Sequence, residues 1–502
     1  MQLLIINYGC EFVQKRNLYI MMSLIVVAVL CASVIIYREQ VPVPIVSAIA
    51  PPVPIVASAF PAPEKTSYQM KLRLDVANNI LYGTTLLNTQ NTSGKSMDEL
   101  WFTAYPNCFQ SSDKTPAPLE AYYAGFNQGW LRFSLIKVNG QAVQFTEKGA
   151  SIQVKPASAI APEDKIQVKM TWKAQIPRVK YRYGSNNTVY MLGNFYPTLN
   201  VFSKDGWHNS YNSVFGDPFC FQSAYYAVSL NIPNAYNMVA TGRTVSKTSE
   251  DDGRDTYLIE ARDARDFSLL VMYDYTEIKE EIKGVTIKCY FPSNHPEIAQ
   301  QILRKSGQII NYYASQFGSY PYGEFKVAFV PMQGFHGMEY SGLIFLREEF
   351  LQVGYEPERS DFILAHEIAH QWWFGLVGND QLREPWLDEG LANWSAYKYL
   401  QDVEGKPIPS GLEYKEGMNL GKELREMYSS QEYYLTAYTG GEAFWFGLEK
   451  ELGHETVNKV LRRYLADYKN KIATTQDLMD IIKLEAHQDM SGYIYKWFPP
   501  KS

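Results

Sequence analysis

Between residues 67 and 276, apolar and polar positions alternate in short runs broken by turn residues. Tyr68-Gln-Met-Lys-Leu-Arg-Leu-Asp-Val, Ile152-Gln-Val, Ile166-Gln-Val-Lys-Met-Thr-Trp and Tyr226-Ala-Val-Ser-Leu-Asn-Ile carry the pattern. A period of two marks half-buried antiparallel strands, so this stretch is expected to fold as an all-β, sandwich-like domain without long helices. After residue 280 the period lengthens. Residues 285–291, 325–330 and 343–346 read as strands of one small sheet. Helix-period runs are expected at 296–316, 359–376, 388–402, 410–428, 440–452, 454–468 and 474–486. Thr474, with Asp477 three residues on, has the form of a capping box for the last of these. The whole reads as a multidomain chain, β first and α+β second.

Residues 18–37 (LYIMMSLIVVAVLCASVIIY) contain no formal charge. As a helix they are long enough to cross a hydrocarbon layer of about 30 Å. Lys15 and Arg16 precede the run, while Arg38 and Glu39 follow and cancel. The positive-inside rule then expects a single-pass signal-anchor helix, the N-terminus cytoplasmic and the remainder extracytoplasmic. A cleaved and secreted form is the alternative. Its apolar stretch is normally about 7–15 residues with a small-x-small site close behind, whereas Ala57-Ser58-Ala59 lies far downstream. Residues 41–63 repeat Pro-Val-Pro-Ile-Val, a composition that favours an extended polyproline spacer. The expected organisation is therefore 1–17 cytoplasmic, 18–37 transmembrane, 38–66 linker, 67–278 β-domain and 279–502 mixed domain.

Composition narrows the function. With 502 residues and 46% hydrophobic content, the chain has material for several packed cores, which excludes wholesale disorder. A net charge of −6 without a long basic run excludes a nucleic-acid surface. None of the cysteines forms a C-x-x-C pair, which removes a cysteine zinc site, and a bridge among Cys108, Cys220 and Cys289 stays open.

The chemistry concentrates in His366-Glu367-Ile368-Ala369-His370. On a helix, positions i and i+4 share a face, so both imidazoles can reach one ion. With only 7 histidines in the chain, chance yields H-E-x-x-H in under about one such chain in a hundred. Zinc accepts two histidines and a carboxylate and keeps a fourth position for water, whose proton Glu367 can take. Glu389, nineteen residues past His370 in Trp386-Leu-Asp-Glu-Gly-Leu-Ala, supplies the third ligand if a second helix beginning near Pro385 returns against the first. Asn393, one turn further on, reads as a helix-surface residue, with orientation of a ligand histidine as the alternative.

His366-Glu-Ile-Ala-His-Gln-Trp-Trp-Phe-Gly, followed by Glu389, resembles the zinc signature of the M1 family of metallo-aminopeptidases. Gly337-Met338-Glu339-Tyr340 resembles that family's G-x-M-E-N exopeptidase motif, and Phe317-Gly-Ser-Tyr-Pro-Tyr its F-G-x-Y-P-Y segment. Gly216-Asp-Pro-Phe is similar to a motif of bacterial members. The resemblance implies a β-domain followed by a thermolysin-like catalytic domain holding one Zn²⁺ through His366, His370 and Glu389. It implies Glu367 as general base, Glu339 as the group that grips the substrate α-amine, and Tyr438 as the oxyanion donor, with Tyr433 and Tyr434 in reserve. Three positions depart from the family pattern: His336 for a glycine, Tyr340 for an asparagine and Gly440 for a lysine. The 64 residues after Tyr438 leave no room for the helical-repeat domain of many relatives, so a short bacterial-type form with an open cleft is expected. Peptides are the expected substrates. A metallo-endopeptidase with the same zinc core, or a non-catalytic peptide-binding or transporter-associated protein, are the rival functions.

Overall fold

The computed structural model describes residues 66–292, 296–354 and 356–500. The expected membrane segment and nearly all of the linker lie outside the described residues. Among the described residues, no helix is long and apolar enough to cross a membrane.

Alternation in the first region becomes an eight-stranded sheet. Its centre is Ser67–Asp75 paired antiparallel with Ile80–Gln90, which pairs in turn with Lys165–Gln175 along its full length. Tyr68, Met70, Leu72 and Leu74 point into the core, while Arg73 between them is exposed. On the other side Ser67–Asp75 runs parallel to Ala224–Pro233. Two four-stranded sheets lie beside it, one containing Leu100–Thr103 and Ser151–Lys155, the other Val189–Leu192 and Leu269–Met272, and a small hairpin pairs Phe202–Ser203 with Gly206–Trp207. Leu100, Ile152, Leu192 and Leu269 belong to the same buried cluster as the large sheet's inner face, so the three sheets share one core. Cys108, Cys220 and Cys289 are buried free thiols.

The second region opens with a five-stranded sheet in the order Tyr275–Ile282, Val285–Pro292, Glu324–Val330, Leu343–Arg347, Gly337–Tyr340. The last of these is an edge strand, antiparallel to Leu343–Arg347 and pairing Glu339 with Ile344. Helices follow: α1 (Pro296–Gln316), α2 (Pro357–Ala369), α3 (Trp386–Glu404), α4 (Gly441–Leu452), α5 (His454–Tyr468), α6 (Thr475–Ala486) and α7 (Ser491–Trp497). The Thr474–Asp477 capping box forms at the start of α6.

Two expected helices differ. The run through 376 stops at Ala369, because Gly375 turns back so tightly that a Cβ there would fall 2.7 Å from the Gln371 carbonyl oxygen. Residues 410–428 form turns and one short 3-10 helix, Leu424–Glu426, with Gly411 and Gly417 at positive φ. In their place the helix leading into α4 begins earlier, at Ser430.

Between the regions lies a third buried cluster that mixes Val189, Met191 and Leu270 with Val330, Met338, Tyr340 and Phe345. Beside it Arg265 is 1% exposed. Its guanidinium donates to the carbonyls of Phe221 (3.0 Å), Phe374 (3.1 Å), Gly375 (3.4 Å), Leu376 (3.1 Å) and Lys471 (3.0 Å). The β-rich region is thereby fastened to the loop that follows α2.

Candidate active site

The last turn of α2 carries His366 and Glu367, and His370 is its C-cap. Pro385 precedes α3, whose first turn carries Glu389. The end of one helix therefore meets the start of the next. His366 Nε2 and His370 Nε2 are 3.1 Å apart, and Glu389 Oε2 lies 3.3 Å and 3.4 Å from them. Ligand atoms about 2.0–2.1 Å from a tetrahedral zinc are separated by about 3.3–3.4 Å, so this triangle fits such an ion. The tautomer also fits. His370 Nδ1–H donates to the Trp373 carbonyl at 3.0 Å, which leaves the Nε2 lone pair facing inward.

Glu389 is held by its other oxygen. Oε1 accepts from Tyr438 at 2.6 Å and Tyr433 at 3.2 Å, while Oε2 takes no hydrogen bond and remains directed at the imidazoles. Burial raises the Glu389 pKa, but His366 and His370 outweigh it and hold the carboxyl below the usual range. Burial pushes His366 down. For His370 burial acts the same way, yet the Glu339 and Glu389 charges carry it upward.

Tyr438 sits in a π-helical segment, Tyr434–Gly440, inserted between a short helix Ser430–Tyr433 and α4. Its ring stacks on His366 at 5.9 Å. The extra backbone of a π-turn re-aims side chains that a continuous α-helix would direct elsewhere. Gly440 explains the missing lysine: a Cβ there would lie 2.8 Å from Leu420, so the position is filled by a neighbour. Asn393 is buried rather than on the surface. It donates to Glu442 at 2.7 Å and supports the protonated form of His366.

Glu367 is buried, with Oε2 unpartnered, and burial pushes its pKa up to about 8. Its carboxylate lies against Gly337, where a Cβ would fall 2.2 Å from Oε1. Two residues along this strand, Glu339 is buried with a pKa raised first by burial and then by Asp217. Strand alternation puts Gly337 and Glu339 on one side, Met338 and Tyr340 on the other. Tyr340 accordingly packs into the inter-region cluster, its hydroxyl over Gly193, and leaves the amine site alone.

Two residues of the site come from the β-rich region. Arg182 and Asp217 form a buried ion pair, and the Asp217 charge is felt by Glu339, Glu367 and Tyr438. Gly216-Asp-Pro-Phe was the available signal for Asp217; Arg182 offered none. A second cluster of donor atoms, His208, Cys220 and Asp380, lies apart from this centre. His208 there bonds Asp380 at 2.6 Å and Ser203 at 2.9 Å, with Arg383 at 3.3 Å.

Residues 302–497 match the Peptidase family M1 domain. This region belongs to peptidase family M1. Aminopeptidase M1-B of Oryza sativa subsp. japonica is 22% identical over 305 residues, 55% of this chain and 34% of that protein. Puromycin-sensitive aminopeptidase of Caenorhabditis elegans is 24% identical over 316 residues, 55% of this chain and 32% of that protein. The matches thus span about a third of the curated relatives' length. A solved M1 zinc metallopeptidase from Deinococcus radiodurans superposes with a TM-score of 0.62 at 15% identity, covering 87% of this chain and 95% of that one. The M1 fold thus extends over the β-rich region as well as over the matched domain.

Proposed function

We propose that this chain is a zinc-dependent aminopeptidase. The observation that carries the reading is the triangle of His366, His370 and Glu389 with a buried carboxylate on either side, Glu367 next to it and Glu339 further along the edge strand. A zinc ion held by the three ligands would supply Lewis acidity, bringing the pKa of a water to about 7. Glu367, buried beside the ligands, would accept a proton from a water at this site; the buried position that raises its basicity suits a general base. Glu339 receives the substrate's α-ammonium. Arg182, Asp217 and Glu339 together carry one net negative charge when ionised, and the ammonium cancels it. An internal peptide bond or an N-acetyl group leaves the buried carboxylate uncompensated, which selects free amino termini. Tyr438 O–H is a half-buried donor beside the ligands, bonded to Glu389, and would turn toward charge developing on the scissile carbonyl oxygen, a contact of the kind whose loss costs about 2.7–4 kcal/mol elsewhere.

The test is Glu367→Gln on purified protein. Stoichiometric zinc with hydrolysis of aminoacyl-coumarin substrates reduced at least about a hundredfold is expected. Full activity in that variant would remove Glu367 as the base. N-acetylated peptides should be spared by the wild type, and cleavage of them would favour an endopeptidase. We also propose that residues 18–37 anchor the chain with its catalytic body extracytoplasmic, a reading supported by the uncharged run and the Lys15–Arg16 flank. Recovery of the full-length chain in a carbonate-washed membrane fraction is expected, and a shortened product in the medium would overturn it.

A further inference from the structure

A second cavity, of about 220 Å³, opens on the seam between the β-rich region and the five-stranded sheet. It shares no lining residue with the active-site cleft. Small-molecule sites concentrate at such seams, and the volume lies just below the roughly 300–1,000 Å³ of drug-sized pockets. One wall is the turn Ser341–Gly342. Ser341 N–H donates to Asp266 at 3.0 Å, and Ser341 Oγ accepts from Arg265 N–H at 2.9 Å. Gly342 N–H donates to Gln371 at 2.7 Å. The turn is thus bonded to both regions, and the cavity is preformed.

Its charge is one-sided. Three cations, Arg243, Arg262 and Lys326, line it against two carboxylates, Glu260 and Glu324. Both guanidiniums share Glu260: Oε2 accepts from Arg243 at 2.6 Å and Oε1 from Arg262. Oε1 also accepts from Tyr225 at 3.1 Å, so this carboxylate is fully used. Each arginine spends one nitrogen there, and the remaining side-chain N–H groups take no acceptor among the described residues. Both arginine side chains are largely exposed, whereas Lys326 is 4% exposed. The Lys326 ammonium donates to the Gly242 carbonyl and lies 3.4 Å from Glu324, which Lys288 holds more closely at 2.8 Å. Burial, offset only in part by Glu324, holds Lys326 down to about 8. An ammonium so placed is short of negative charge. Pro321, Ala261 and Ala264 give the cavity an apolar lining beside these donors.

We propose that this cavity binds a small organic carboxylate, its anionic end held by Lys326 and the two arginines, its short apolar tail on Pro321, Ala261 and Ala264. A carboxylate accepts from several N–H groups at once, and such charge-assisted bonds are about twice as strong as neutral ones. A cationic ligand would meet the excess of positive charge, and a neutral amide would leave it uncompensated. Pentanoate is the probe, titrated by calorimetry at constant ionic strength into the zinc enzyme with its catalytic centre blocked by a hydroxamate. One equivalent should bind, with pentanamide and pentylamine at least about tenfold weaker. Lys326→Met, which leaves Glu324 paired with Lys288, should weaken pentanoate binding at least about tenfold. Arg262→Gln should weaken it about threefold to tenfold. That side chain is largely exposed and Arg243 still holds Glu260, so this variant decides the question should Lys326→Met fail to fold. Absence of pentanoate binding, equal binding of pentylamine, or wild-type affinity in the folded variants would overturn the proposal. Binding of inorganic phosphate without binding of pentanoate would overturn it as well.

Discussion

An alanine at position 337 would put its Cβ 2.2 Å from a Glu367 oxygen. The strand is locked to Leu343–Arg347, so the carboxylate must move. A displacement near 1 Å at a reacting group costs about a hundredfold in rate. Gly337→Ala is therefore expected to lower kcat about a hundredfold with zinc content unchanged, since the atoms nearest that Cβ all belong to Glu367 and not to a ligand; metal analysis beside a rate assay checks it. Its neighbour has a different signature. Burial first, then the Arg359 and Arg347 charges, pushes His336 down to about 4. The folded pKa lies below the unfolded value of about 6.5, so the unfolded chain takes up the proton first. His336 thus favours the folded state above pH 6.5 and loses that contribution as pH falls toward 4. Urea midpoints at pH 7 and pH 5 should differ less in His336→Asn than in the wild type. At this scale the sequence was most readable where chemistry forces residue type: His366, Glu367 and His370 stand out by spacing, and Glu389 joins them once a second helix is expected to return against the first. It was least readable where a residue matters for what it lacks, as Gly337 and Gly440 do, or where two distant segments pair, as Arg182 and Asp217 do.

The elements that aim the site's donors meet at two glycines. A Cβ on Gly390 would lie 2.6 Å from the Gly441 Cα, so α3 and α4 touch backbone to backbone one residue past the ligand Glu389. The same approach brings the π-helical segment, and with it Tyr433 and Tyr438, onto Glu389. Forcing a methyl into that contact separates the helices at a cost of about 1–3 kcal/mol and moves ligand and donor together. Gly441→Ala should therefore lower both the melting temperature and zinc affinity, whereas Tyr438→Phe should reduce kcat with the zinc site nearly intact. Competition for zinc with a chelator separates the two outcomes. The strands and most helices were legible because their periodicity reflects one buried face. The segment 410–440 was not. Its apolar residues reach the core from turns and a short 3-10 helix, as Leu420 and Leu424 do, and glycines at 411 and 417 break the helix that their spacing suggests. A π-turn has no periodic signature of its own.

At the scale of the whole molecule, the turn behind the ligand His370 is bonded by a residue that belongs to neither helix. Arg265 sits at the end of the strand Arg254–Ala264, yet its acceptors are carbonyls at 221, 374–376 and 471. Nothing in sequence pattern could reveal this, because backbone carbonyls carry no residue identity and the contacts reach across as many as 206 positions. Phe374, one of the acceptors, holds φ at 106°, a strained value for a side chain of its size. The carbonyl bonds stabilise that turn, and the turn fixes the C-terminal end of α2, where His370 donates to the Trp373 carbonyl. Burial lowers the Arg265 pKa to about 10, so the guanidinium stays charged at neutral pH. Removing it by Arg265→Met takes away the donor to the carbonyls of Phe221, Phe374 and Gly375, each unsatisfied group costing about 1–3 kcal/mol before relaxation. Those of Leu376 and Lys471 keep backbone N–H donors from Asn470 and Gly378. Lysine has three donors and no fork, so Arg265→Lys recovers only part of the loss. If the β-rich region serves catalysis by bracing this turn, Arg265→Lys should raise the zinc dissociation rate along with its loss of melting temperature, although residue 265 touches no ligand. A variant that melts earlier but releases zinc at the wild-type rate would confine Arg265 to stability alone.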